Sequence, residues 1–173
     1  MPLRRGRIPI PFFFYGRCRM NRLGQISAYA YRDDPAVPDF DDSGPIVFMD
    51  ANCALCSSGA RLIDRFDRTR RFRICPVQSP LGTAFLRHLG IDADDPDTWV
   101  FLDNGIAYTS LDAMIRAGAR IGGPGWLLQV ARPLPRSTQD RLYGWIASNR
   151  YRWFGSADLC SLPSPTLNAR LMT

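Results

Sequence analysis

The chain's 173 residues, 46% hydrophobic and 22% charged, suit one domain with an ordinary core and exclude a disordered composition. No apolar run approaches the ~20 residues that a transmembrane helix needs. The formal charge of +6 comes from the first 32 residues, which hold seven arginines and no acid; from Asp33 onward 15 arginines face 16 aspartates. The folded part is near neutral, so no nucleic-acid partner is expected. Every basic residue is Arg and every acid is Asp, a bias without a functional account.

Residues 1–43 read as a disordered or over-extended leader and linker. Arg4, Arg5 and Arg7 precede the short apolar run Ile8 to Tyr15, like the start of a secretory signal, but Arg17, Arg19 and Arg22 follow before Ala28-Tyr29-Ala30. The composition also suits a mitochondrial leader, except that Pro9 and Pro11 would break its helix, and translation from Met20 is a further reading. Asp33 to Gly44, with two prolines and five aspartates, reads as a linker. The folded domain is expected over 44–163, with a tail over 164–173.

Ile46 to Met49 is a continuous apolar run, as in a strand covered on both faces. After Asp50-Ala51-Asn52 comes Cys53-Ala54-Leu55-Cys56. Leu55, Gly59, Leu62 and Phe66, widened by Ile63, then predict an amphipathic helix with Asn52 as its N-cap. Arg61, Arg65 and Arg68 form its solvent side, with Asp64 placed to pair with Arg68.

Arg71 to Val77 reads as a second strand, with Phe72 and Ile74 on one side. Ser79 and Pro80 start a helix that buries Leu81, Phe85, Leu86 and Leu89 and stops at Gly90. Beyond an acidic loop, Asn104-Gly105 between apolar runs is a strong hairpin signal. Ser110 is expected to cap a helix to about Arg120, Trp126 to Val130 is a further apolar segment, and Ser137 to Ser148 makes the last helix. The order is βαβ followed by ββα, an α/β arrangement of thioredoxin-like topology with additional C-terminal helices.

The five cysteines are Cys18, Cys53, Cys56, Cys75 and Cys160, and a single pair is close in sequence. This suits an intracellular, cytoplasmic protein with a reactive or metal-binding pair better than a secreted, disulfide-stapled one. Cys53 and Cys56 lie one helical turn apart at a helix start, where unpaired N–H groups and the helix dipole favour a thiolate. The expected roles are an exposed Cys53 as nucleophile and Cys56 as resolving thiol. A structural zinc would want a second ligand pair, which Cys75, His88 and Cys160 do not supply. Asp50 has two readings, as proton acceptor for Cys56 or as an anchor for turn N–H groups. Cys75, Cys160 and the lone His88 read as structural, and Tyr151, Trp153 and Phe154 as packing on a sheet edge.

Several motifs occur together: Asp50-x-x-Cys53-x-x-Cys56, Pro76-Val-Gln-Ser-Pro80, the Asn104-Gly105 hairpin, Ser110-Leu-Asp-Ala113, and Tyr143-x-x-Ile-Ala-x-Asn149-Arg-Tyr-Arg-Trp-Phe-Gly155 with Cys160 after it. In these the chain resembles the DCC family of predicted thiol-disulfide oxidoreductases from about Pro45 to Pro163. The resemblance implies a thioredoxin-like fold and a redox role for Cys53 and Cys56, with Asp50 as the third signature residue. The substrate would be a thiol or disulfide protein or a small thiol, with no bound cofactor. Thioredoxins carry a cis-proline opposite the thiol pair; alignment on Asn104-Gly105 places Asp97 there, with Pro96 one position early. The alternatives are a non-catalytic binding module with structural or metal-binding cysteines, and a redox sensor.

Overall fold

Ile46–Met49 forms strand β1, and all four of its side chains are buried because helices cover both faces of the sheet it centres. The computed structural model describes residues 27–93, 99–157, 159 and 164–172. After β1 come helix α1 (Ala54–Phe66), strand β2 (Arg73–Pro76), helix α2 (Pro80–His88), and the hairpin β3 (Val100–Asp103) and β4 (Ile106–Thr109). Helix α3 (Ser110–Ile121), a 3-10 helix (Gly123–Ala131), α4 (Arg136–Phe154) and the short α5 (Pro165–Asn168) follow. The sheet order is β2-β1-β3-β4. β1 pairs parallel to β2 and antiparallel to β3, and β3 pairs antiparallel to β4. This is the expected thioredoxin-like arrangement.

Alternation along the strands divides the core in two. Val47, Met49, Ile74 and Phe101 face α1 and α3, meeting Ala60, Ile63, Ala113 and Ala117. Ile46, Phe48, Cys75, Val100 and Leu102 face α2, where Phe48 stacks on Phe85 with centroids 4.3 Å apart. The Asn104-Gly105 turn has both residues at positive φ, 50° and 74°, as a tight hairpin demands. Ser79 caps α2 by accepting the Gly82 N–H at 3.0 Å, with Pro80 at the first helical position.

Several expectations need correction. The face that α1 buries runs through Ser57, Ala60 and Ile63, with Leu55, Leu62 and Phe66 half-buried at its margins, a rotation of about one residue from the predicted stripe. Asp64 bonds Ser164, Thr166 and Arg170 instead of Arg68. Thr109, not Ser110, occupies the N-cap of α3. The last long helix continues through Phe154, taking in the aromatic stretch.

The stretches read as linker and tail also carry structure. Tyr31 and Val37 are buried, Tyr31 packs on Phe85, and Asp34 reaches His88 at 2.7 Å. At the other end Leu167 is fully buried, and Leu171 forms a parallel bridge with Ile74. Arg170 lies 2.6 Å from buried Asp67. Isolated apolar residues in a polar stretch give no periodic signal, and so these segments were illegible as fold. The remaining leader, residues 1–26, lies outside the described residues.

Candidate functional site

The parallel strand β1 delivers the chain to the N-terminus of α1, and the turn between them is built on Asp50. Its Oδ1 accepts the N–H of Asn52 at 2.9 Å, the contact of the anchoring reading, one of the two expected for this carboxylate. Asn52 is not the N-cap. That position is Cys53 itself, with extended backbone at φ −95° and ψ 122°. Its sulfur therefore sits beside the first free N–H groups of the helix, although it makes no regular capping hydrogen bond.

Cys56 lies one turn on, in the first turn of α1. Hydrogen bonding from Cys56 is the main influence lowering the Cys53 thiol to about 6 against the resistance of burial. The N–H groups of Cys56 and Leu55 and the positive Arg150 act in the same direction. The Cys56 thiol is pushed far up, first by its bond to Cys53, then by burial and by the negative charges of Cys53 and Asp50. One sulfur is thus set to be anionic near neutral pH while the other keeps its proton.

The expected exposure of the pair is reversed. Cys53 is 0% exposed, whereas Cys56 is only half-buried. What covers Cys53 is the strap that follows α4. Gly155 O accepts the Ala54 N–H at 3.3 Å, Cys53 bridges to Ser156, Ala157 N–H donates to Asn52 O at 3.0 Å, and Leu159 N–H donates to Ala51 O at 2.8 Å. A position exposed by the helix alone is closed by chain arriving from about a hundred residues away.

Three neighbours of the pair carried no signal of their own in the sequence. Gln78 donates to Asp50 Oδ1 at 2.7 Å and accepts the Ala51 N–H at 3.1 Å. The Tyr151 hydroxyl donates to Asp50 Oδ2, and the buried Arg150 guanidinium lies 3.6 Å from the same oxygen. Burial pushes the Asp50 carboxyl up, but Tyr151, the Asn52 N–H, Gln78 and Arg150 outweigh it and hold the carboxyl below its ordinary range. Burial and Asp50 together push the Tyr151 hydroxyl up to about 12. Gln78 sits in the Pro76–Pro80 motif, and Arg150 and Tyr151 in the aromatic run, so the motifs were visible while their convergence on Asp50 was not. Tyr151, Trp153 and Phe154 are 46%, 44% and 49% exposed, not packed on a sheet edge as expected.

Cys75 is buried beside Ser79 Oγ, with its thiol raised to about 11 by burial, as suits a structural cysteine. Cys18, Pro96, Asp97 and Cys160 lie outside the described residues. Among the described residues no three His, Cys, Asp or Glu side chains are grouped as metal ligands.

The sequence from 47 to 156, which spans the dithiol, the sheet and the strap, matches the family model described as DCC1-like thiol-disulfide oxidoreductase. The chain belongs to this family. Two curated relatives are also similar to the chain. The chain is 32% identical over 127 residues, 73% of its length, to the uncharacterized protein YuxK of Bacillus subtilis, 93% of which is covered. It is also 32% identical over 126 residues to a chloroplastic DCC family protein of Arabidopsis thaliana, covering 70% of this chain and 72% of that one. No solved structure matches the chain.

Proposed function

We propose that this DCC1-like protein is a dithiol-disulfide oxidoreductase in which Cys53 is the nucleophile and Cys56 the resolving thiol. The observation that carries the reading is the placement of Cys53 at the N-cap of α1 with Cys56 one turn on, where the surroundings lower the Cys53 thiol and raise that of Cys56. The Cys53 thiolate attacks one sulfur of a substrate disulfide, forming a mixed disulfide and releasing the other sulfur as a thiolate that takes up a proton. Cys56 then loses its proton and attacks Cys53, expelling the second substrate thiol. Two electrons have passed to the substrate, and an external dithiol must reduce the Cys53-Cys56 disulfide for another turnover. Thiol oxidation is the same sequence reversed.

Asp50 acts on Cys56 as a nearby negative charge, but three hydrogen-bond donors and the Arg150 guanidinium already engage its carboxylate. It therefore serves better to hold the turn and keep Cys56 protonated than to store a proton. Substrate is a protein or small-molecule thiol or disulfide, and its approach to Cys53 requires the Gly155–Ala157 strap to lift.

That burial favours a second reading, a redox sensor in which the pair oxidises once and displaces the strap without turning over. Insulin reduction with a dithiol donor separates the two. Turnover that disappears in Cys53→Ser and Cys56→Ser supports the oxidoreductase. A reversible Cys53-Cys56 disulfide with negligible turnover supports the sensor, and failure to form that disulfide overturns both.

A further inference from the structure

Of the eleven large hydrophobic side chains exposed among the described residues, nine lie between Trp126 and Phe154. On the 3-10 helix Val130 is 84% exposed, Leu127 67% and Trp126 65%, values of side chains that project into solvent instead of lining a groove. On α4, Leu142, Trp145 and Trp153 fall on one helical face, and the two indoles meet at 4.6 Å. The two elements are tied together. The Gln139 amide donates to the Ala131 carbonyl at 3.2 Å and the Leu134 carbonyl at 2.9 Å, and α3 packs against both elements.

The charge of this stretch differs from that of its surroundings. Residues 123–157 hold Arg132, Arg136, Arg141, Arg150 and Arg152 against Asp140 alone, whereas the rest of the chain from Asp33 onward has more aspartates than arginines. Arg150 is buried and Arg136 lies 3.5 Å from Asp112; all but Arg150 are exposed. The stretch thus combines protruding Trp, Leu and Val with a net positive charge, five arginines against the exposed Asp140. A protein partner would have to supply pockets for each projecting side chain. A lipid interface accepts projecting apolar groups anywhere, seats indoles at headgroup depth and supplies phosphates to arginines.

We propose that the 3-10 helix and the exposed stripe of α4 form a docking face for an anionic membrane surface. Attachment would be peripheral, since no described helix is long and apolar enough to cross a bilayer. Because α4 runs directly into the Gly155–Ala157 strap over Cys53, docking brings the covered thiol near the lipid boundary.

Flotation of the full chain with vesicles tests it. The protein should float with vesicles of phosphatidylcholine mixed with phosphatidylglycerol, bind pure phosphatidylcholine far less, and be released by salt. The Trp126→Ser, Leu127→Ser, Val130→Ser triple variant should lose flotation at an unchanged thermal midpoint. Arg132→Gln with Arg141→Gln, which leaves the apolar ridge intact, should weaken binding roughly tenfold or more. Absence of wild-type flotation, or flotation that neither variant reduces, overturns the proposal. So does a wild-type dimer that the triple variant dissociates while neither protein floats, because the face then binds a second copy.

Discussion

A thiol with an ordinary pKa of about 8.5 is mostly protonated at neutral pH, so a reactive one must be acidified by its surroundings. At Cys53 the Cys56 hydrogen bond leads, followed by the free N–H groups of α1 and the charge of Arg150. The expected consequence is a rate of alkylation by a small haloacetamide that rises with pH through a midpoint of about 6. The profile should vanish in Cys53→Ser and move to higher pH in Arg150→Met. Because the strap covers the sulfur, the absolute rate should lie below that of a free thiolate and rise in mild denaturant before global unfolding. An unchanged midpoint in Arg150→Met would remove the guanidinium from the account. From sequence, Cys53, Cys56 and Asp50 were legible because each stands in a spaced motif. Arg150, Tyr151 and Gln78 were not, because a polar residue's partner across the fold leaves no local pattern.

At the scale of single elements, α2 shows local chemistry and tertiary approach on adjacent residues. Ser79 satisfies the Gly82 N–H at 3.0 Å, so Ser79→Ala should cost about 1 kcal/mol in chemical denaturation. Gly82 is fixed for a different reason: a Cβ there would lie 2.2 Å from the Pro76 carbonyl oxygen. Helix propensity would make Gly82→Ala stabilising by about 1 kcal/mol, yet backbone contact should make it destabilising by roughly 1–3 kcal/mol. A stabilised Gly82→Ala would show that β2 and α2 are less closely packed than the structure has them. The cap was readable from Ser79-Pro80. The glycine's role was not, because it depends on how near the preceding strand end lies.

Across the whole molecule, residues 164–172 secure the side of the sheet where β2 lies. Arg170 is 5% exposed and reaches Asp67 and Asp64, and it donates to the carbonyls of Asp67 and Phe72. Burial raises the Asp67 carboxyl, but Thr69, the Phe72 N–H and Arg170 outweigh it and hold it below the ordinary range. A depressed folded-state pKa contributes stability that is complete above the unfolded value of about 3.9 and is lost as pH falls through the folded value. Arg170→Met should therefore destabilise by roughly 3–5 kcal/mol near neutral pH by stranding a buried carboxylate. The deficit should shrink below about pH 4, where protonation removes the stranded charge. A pH-independent deficit would mean that Arg170 acts by packing alone.

The sequence by itself determined the strand-helix alternation, the hairpin, the spacing of Cys53 and Cys56, and the position of both at the start of α1. These are properties of neighbouring residues, governed by periodicity, turn conformation and the free N–H groups of one helix. Only the tertiary structure decided that Cys53 lies under the Gly155–Ala157 strap, that Gln78, Tyr151 and Arg150 converge on Asp50, and that segments read as linker and tail are part of the core. Each of these joins residues distant in sequence. Burial and ion pairing depend on what arrives from elsewhere in the chain, and no local pattern records that arrival.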